Sequence, residues 1–211
     1  MGIYGASGFG REVMPLLQGQ CSSNTRCVFI DDAAETIGAE FAGLEVMPWD
    51  TFRASAGDRP RVVLAVSDPA TRQRLAGRCM EAGAVFETVQ APGVVRAREA
   101  NVGSGAVLCS FVTLTSNAQI GRQFHANIYS YVAHDCVLGD FVTLAPRASC
   151  NGNVLIEDRV YVGTGAIIKQ GRPGQPLVIG KGAVIGMGAV VTKSVPPGET
   201  VVGNPARTLT R

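Results

Sequence analysis

From Val102 to Ile168 the chain, set out in sixes, reads VGSGAV LCSFVT LTSNAQ IGRQFH ANIYSY VAHDCV LGDFVT LAPRAS CNGNVL IEDRVY VGTGAI I. An aliphatic or small residue opens every group: Val102, Leu108, Leu114, Ile120, Ala126, Val132, Leu138, Leu144, Cys150, Ile156, Val162, Ile168. The beat skips once and resumes at Ile179, Ile185 and Val191. A second small or branched residue usually sits four places on, as at Ala106, Val112, Ala118, Cys136 and Ala166. Glycine often follows the beat, at Gly103, Gly121, Gly139, Gly163, Gly180 and Gly186. A period of six is neither helical nor a simple strand alternation. It describes a solenoid in which each flat face uses six residues, so three faces close an eighteen-residue triangular coil. The two inward positions of each group fill its core. The general rule for parallel crossovers predicts a right-handed coil.

Residues 1–90 follow a different grammar, and the boundary falls at Ala91-Pro92-Gly93. Gly2–Tyr4 reads as a short strand. The glycine-rich turn Gly5-Ala6-Ser7-Gly8-Phe9-Gly10 then opens a helix expected over Arg11–Gln18. Cys27–Ile30 is a buried strand ending at Asp31-Asp32. Asp50 is the expected N-cap of a short helix. Arg61–Val66 is an apolar strand, Ser67-Asp68-Pro69 starts a helix to about Ala82, and Val85–Val89 is the last strand. Strand–helix alternation implies an α/β domain with a small Rossmann-like parallel sheet. Residues 91–211 form the all-β solenoid.

Composition excludes several classes. Of 211 residues, 46% are hydrophobic and 17% charged, enough for a packed core. A net charge of +2 is too small to argue for nucleic acid or an anionic membrane. No apolar run is long enough for a membrane helix. The opening MGIYGASGFG lacks a basic region followed by an apolar stretch, so no signal peptide is expected. Six cysteines lack CxxC spacing. They read as small buried hydrophobes in a reducing cytoplasm.

Two places carry chemistry. The first is the glycine turn. Backbone N–H groups at a helix start attract an anion, typically phosphate. Gly5, Ser7, Gly8 and Gly10 are therefore candidates for a nucleotide or nucleotide sugar. Asp31, at a strand end, suits hydroxyl or base recognition, and Asp32 is either a ligand or solvated turn chemistry. A tight turn with no ligand would use the same glycines. The spacing is GxxGxG rather than GxGxxG, and only about half the strands of a full dinucleotide fold are apparent. A mononucleotide therefore fits better than NAD.

The second is His134, two places after a beat and so facing outward. Eighteen residues on, in the same column, lies Gly152; eighteen further is Gln170. The step from Ile168 to Ile179 inserts a loop at that root, around residues 169–176. A histidine, a glycine backbone and a loop thus share one edge. Imidazole can take a proton from an attacking amine or hydroxyl. Asp135 can hold its tautomer, and the Gly152 amide can meet a developing oxyanion. The other histidine, His125, reads as surface decoration. Two histidines cannot supply a three-histidine zinc set, so no metal is expected.

The chain resembles the hexapeptide-repeat nucleotide-sugar acetyltransferases grouped with sialic acid O-acetyltransferase and the UDP-4-amino-sugar (bacillosamine) and perosamine N-acetyltransferases. The resemblance is carried by IYGASGFGRE at the start, FIDD at Phe29–Asp32 and AVSDPATR at Ala65–Arg72. It continues through VAHDCVLGDFV at Val132–Val142, CNGNV at Cys150–Val154 and VVGNPAR at Val201–Arg207. It implies a left-handed parallel β-helix, His134 as general base supported by Asp135, and the Gly152 amide against the thioester carbonyl. It implies acetyl-CoA running beside Gly163-Thr164 and Gly186-Met187 between subunits of a homotrimer, with Lys193 and Arg207 as candidates for its phosphates. The nucleotide of the sugar would lie on Gly5, Ser7, Gly8, Asp31 and Asp32. Some members carry a second histidine where this chain has Thr143. The implied activity is cytoplasmic acetylation of a nucleotide-linked amino sugar for glycan or polysaccharide precursors. Sugar O-acetylation and a non-catalytic nucleotide-sugar sensor are the alternatives.

Overall fold

A computed structural model describes residues 1–33 and 35–210. The chain divides into two compact units, Met1–Val89 and Gln90–Arg211.

The first unit is an α/β sheet with helices. Its elements are β1 (Gly2–Tyr4), α1 (Gly8–Gln20), β2 (Val28–Ile30), β3 (Glu40–Phe41), β4 (Leu44–Met47), α2 (Trp49–Ser55), β5 (Arg61–Leu64), α3 (Pro69–Glu81) and β6 (Val85–Phe86). The sheet order is β3-β4-β2-β1-β5-β6, parallel except for the β3–β4 hairpin. β1 and β2 are buried throughout, and β5 is buried from Val62 to Leu64 after an exposed Arg61, as a doubly covered parallel sheet requires. Three sequence expectations need correction. The β3–β4 hairpin was absent from the reading. Its two-residue turn, Ala42-Gly43, takes positive φ at both positions, which an Ala-Gly pair does not announce. Helix α1 begins at Gly8, not Arg11, so the glycine turn is itself the first helical turn. The N-cap of α2 is Pro48, not Asp50, because the first helical amide, Trp49 N–H, is taken by the Asp32 carboxylate at 3.0 Å. Asp68 caps α3 by accepting from Thr71 N–H at 2.8 Å.

The second unit is a left-handed parallel β-helix with three faces. The first face stacks Val107–Leu108, His125–Ala126, Thr143–Leu144, Tyr161–Val162, Val184–Ile185 and Thr200–Val202. The second stacks Val95–Arg96, Thr113–Leu114, Tyr131–Val132, Ser149–Cys150, Ile167–Ile168 and Val190–Val191. The third stacks Asn101–Val102, Gln119–Ile120, Val137–Leu138, Val154–Ile156 and Leu177–Ile179. Before the insertion partners stand eighteen residues apart, as Tyr131↔Ser149 and Gln119↔Val137 show, and across it twenty-three, as at Tyr161↔Val184. The beat residues fill the interior: Leu108, Leu114, Ala126, Val132, Cys150, Ile156, Val162, Ile168, Ile179 and Ile185 are all 0% exposed. Phe124 breaks the small-residue rule at the second inward position, yet it too is fully buried, with the small Ala126 two places on.

His125 is a further correction. It lies 1% exposed, between Val107 at 0% and Thr143 at 5% in the same column. The outward side of the first face is covered along these coils, so an outward position there is not a surface position.

Candidate active site

The second-face register places the candidate catalytic residues on one edge. Pairing of Val132 with Cys150 sets His134 over Gly152 at the corner between second and third faces. Asn153 N–H donates to the His134 carbonyl at 3.1 Å, and Gly171 N–H to the Gly152 carbonyl at 2.9 Å. A Cβ on Gly152 would stand 2.6 Å from both Cε1 and Nε2 of His134. The glycine is therefore required by the ring, whose Cε1–Nε2 edge lies against its backbone. The neighbours Asn151 and Asn153 donate their N–H groups to Ile168 and His134. Among the described residues the Gly152 N–H enters no such ladder bond.

The other ring nitrogen is committed. His134 Nδ1 lies 2.8 Å from Asp135 Oδ2. Asp135 Oδ1 accepts from Asn117 Nδ2 at 3.1 Å. The His134 hydrogen bond first, then that of Asn117, holds the Asp135 carboxyl below the usual carboxylate range. An ionised Asp135 fixes the proton on Nδ1 and leaves the Nε2 lone pair for a substrate proton. Both side chains are about half exposed, 57% and 48%, so the pair is reachable from solvent. Sequence reasoning missed Asn117. The signal was available, since Asn117 is Asp135 minus one coil.

The inserted loop rises from the same edge. It carries an Arg172–Gln175 bridge and rejoins the third face at Leu177. A groove of about 410 Å³ runs there, lined by Lys169, Arg172, Lys193, Thr192 and Ser194 among others, with no acidic residue. Lys193 also lines a neighbouring 260 Å³ groove with Arg207 and Glu199. Lys169 and Arg172 were not singled out in the sequence; two cations in one short insertion were the clue.

Gly163-Thr164 and Gly186-Met187 lie elsewhere. They follow Val162 and Ile185 at the corner between first and second faces. A Cβ on Gly163 would stand 2.6 Å from Met187 N, and Thr164 accepts from Gly188 N–H at 2.8 Å. Met187 is 80% exposed. One whole face separates this corner from His134. Thr143 sits on the first face between His125 and Tyr161.

In the first unit the glycines divide by role. Gly5 has φ 112°, and a Cβ there would meet the Ala65 carbonyl at 2.8 Å. A Cβ on Gly10 would overlap the Gly5 carbonyl oxygen. Both are packing glycines. Gly8 has nothing within 4 Å of a Cβ, so no protein contact asks for glycine in this first helical turn. Ser7, the N-cap, makes no capping bond with its side chain, leaving the hydroxyl uncommitted to the helix. Asp31 accepts from Ala6 N–H at 2.9 Å and Ala33 N–H at 3.0 Å, tying the turn to the end of β2. Asp32 accepts from Trp49 N–H, Tyr4 Oη and Arg78. Arg78 also reaches Asp50 at 3.3 Å. Arg72, fully buried, donates to the Val66 and Ser67 carbonyls and holds the β5–α3 loop. Burial pushes its guanidinium down to about 9, still a cation at neutral pH. Neither Arg72 nor Arg78 was legible as a site residue, because their partners are remote in sequence.

A β-helix corner that presents a histidine–carboxylate pair beside an open glycine amide defines an acyltransferase of the hexapeptide-repeat class. Comparison narrows the class. Residues 1–79 match the family described as PglD N-terminal domain. The chain is 48% identical to GDP-perosamine N-acetyltransferase of Escherichia coli O157:H7, over 100% of this chain and 96% of that one. The solved structure of WeeI from Acinetobacter baumannii AYE superposes with a TM-score of 0.94 at 52% identity, covering 99% and 98% of the two chains. The acetyltransferase domain of PglB from Neisseria gonorrhoeae FA1090, in complex with acetyl coenzyme A, gives a TM-score of 0.87 at 27% identity, covering 99% and 98%. The chain belongs to the nucleotide-sugar N-acetyltransferases.

Proposed function

We propose that the chain transfers the acetyl group of acetyl-CoA to the amino group of a GDP-linked amino sugar of the perosamine type. The placement of the His134 ring carries the mechanism: Nδ1 on Asp135, and Nε2 against the open Gly152 backbone. The sugar amine attacks the thioester carbonyl and forms the C–N bond. His134 Nε2 takes the amine proton, and the Gly152 N–H stabilises the developing oxyanion. The C–S bond breaks, coenzyme A thiolate leaves, and the proton on His134 passes to it. No covalent enzyme intermediate is needed. The nucleotide diphosphate is assigned to the Gly8 turn of α1, with Ser7 and the Asp31-anchored backbone.

The separation of the two corners supports a homotrimer. His134 and Gly152 from one subunit meet Gly163, Thr164, Gly186 and Met187 from a neighbour only if edges of different copies face each other. A three-fold axis does this for a three-faced coil. Lys169, Arg172, Lys193 and Arg207 supply cations near the catalytic edge for phosphates. No helix among the described residues is long and apolar enough to cross a membrane, and no disulfide joins any of the six cysteines. We place the reaction in the cytoplasm, in surface-polysaccharide precursor synthesis.

The test is thiol release from acetyl-CoA against GDP-perosamine and UDP-, dTDP- and CMP-linked amino sugars, with wild type and His134→Ala. General-base loss costs roughly 10²–10⁴ in rate. The turnover number should fall by that much, with folding and acetyl-CoA affinity retained. The base assignment is falsified if His134→Ala keeps more than about a tenth of wild-type turnover. Preference for another nucleotide sugar would overturn the substrate and leave the base in place.

A further inference from the structure

The carboxylate that orients His134 is itself held by the coil before it. Asp135 and Asn117 occupy equivalent corners, with φ 58° and 61°. The third-face pairing Gln119↔Val137 puts the two corners in register. Asp135 N–H donates to the Ser116 carbonyl at 3.0 Å. Asn117 Nδ2 donates to Asp135 Oδ1 at 3.1 Å while Oδ2 takes His134 Nδ1 at 2.8 Å. Backbone and side chain of Asp135 are thus both fixed from one neighbouring coil. With one partner on each oxygen, the carboxylate cannot turn about its last torsion without breaking a bond.

Asparagine is a common occupant of left-handed corners, which offers a reason for the residue from the turn alone. The solenoid argues otherwise. Equivalent positive-φ corners elsewhere carry Phe111, Gln123, Tyr129, Phe141, Arg147, Asn153 and Arg159, of which only Asn153 is another asparagine. The corner does not ask for asparagine; the carboxylate one coil on does. We propose that Asn117 is a positioning residue for acetyl transfer, locking Asp135 so that His134 keeps its proton on Nδ1 and its lone pair on Nε2. Asn117 touches no reacting atom, and the proposal rests on His134 being the general base.

Asn117→Gly tests it, since glycine accepts positive φ freely and removes only the amide. The turnover number should fall roughly three- to tenfold, the worth of one hydrogen bond. KM for both substrates and the melting temperature should stay at wild-type values. Imidazole ¹⁵N shifts of neutral His134 should show a weakened preference for the Nδ1–H tautomer. In an Asp135→Ala background the same substitution should change nothing further. Unchanged turnover in Asn117→Gly, beside an inactive His134→Ala, would overturn the proposal. So would losses that simply multiply with those of Asp135→Ala. Full activity of His134→Ala would instead remove the base assignment beneath it.

Discussion

Gly8 and Asp32, both candidates for the nucleotide in the sequence, are set in different surroundings by the fold. A glycine in a helical turn costs about 1 kcal/mol relative to alanine, and at Gly8 no packing explains that cost. The phosphate proposed for this turn, approaching the backbone closely, would explain it. Gly8→Val should therefore weaken GDP binding by roughly tenfold or more, as loss of charge-assisted bonds implies. Coenzyme A affinity, measured in the same titration calorimeter, should not move. Equal loss of both ligands would mark a folding defect, and no loss would take the nucleotide away from this turn. Asp32 is the opposite case. Burial alone would raise its carboxyl, but bonds from Tyr4, the Trp49 N–H and Arg78 outweigh burial and leave it below the usual range. A depressed folded value contributes stability that is fully present above the unfolded carboxylate value, about 4, and is lost as pH falls through the folded one. Asp32→Asn should lower the melting temperature at pH 7 by roughly 2–6 °C. Its difference from wild type should shrink as pH falls below about 4. A deficit unchanged down to acid pH would mean that charge is not what Asp32 contributes. The FIDD stretch was read in the sequence as part of a candidate nucleotide site. It did not announce that Asp32 would face Arg78, 46 positions away, since such a pairing exists only once β1, β2 and α3 have assembled.

The element that repeats is the corner, and it explains what the sequence could and could not tell. The inward positions of each hexad were readable because one narrow core constrains them all in the same way. The corners were not. Their third residue takes positive φ whether it is Phe111, Asp135, Arg147 or Gly165. The reason is a ladder bond: the amides of Asp135, Phe141, Arg147, Arg159 and Gly165 each donate to a carbonyl of the previous coil. Those bonds set the conformation, so the side chain is left free to vary. The glycines after the beat obey a different cause. Gly121 lacks positive φ, yet a Cβ there would stand 2.6 Å from the Gly139 carbonyl carbon and Asp140 Oδ1. Gly165 has φ 68° and open space around the same point. Gly121→Ala should cost about 2–3 kcal/mol, because two coils must part. Gly165→Ala should cost only about 1 kcal/mol of backbone strain. Urea unfolding of the two variants checks the order; a larger loss at Gly165 would mean that strain, not crowding, governs these corners. The register that legibly stacked His134 on Gly152 also placed the insertion correctly, because both follow from counting in eighteens.

Counting in eighteens also separates the residues proposed for the base from those proposed for the cofactor. His134 and Gly152 lie at the corner after the second face, whereas Gly163, Thr164, Gly186 and Met187 lie at the corner after the first. A rigid coil cannot bring its own two corners together. A cyclic trimer of about 66 kDa, three times 22.0 kDa, would set one corner type against the other at each of its three contacts. Light scattering tests the mass, but mixing subunits tests the site. His134→Ala removes the base and leaves the cofactor corner intact. Met187→Glu puts a negative charge on an exposed position where the polyanionic coenzyme A is assigned, and leaves the base intact. Each variant alone should be nearly inactive. Co-expressed in equal amounts, the two should assemble at random. A working site needs a base from one variant and a cofactor corner from the other, so about a quarter of the sites should be whole. Turnover of the mixed enzyme should recover to roughly a quarter of wild type per site. If base and cofactor corner belonged to one chain, every site would carry one lesion or the other, and mixing would restore nothing.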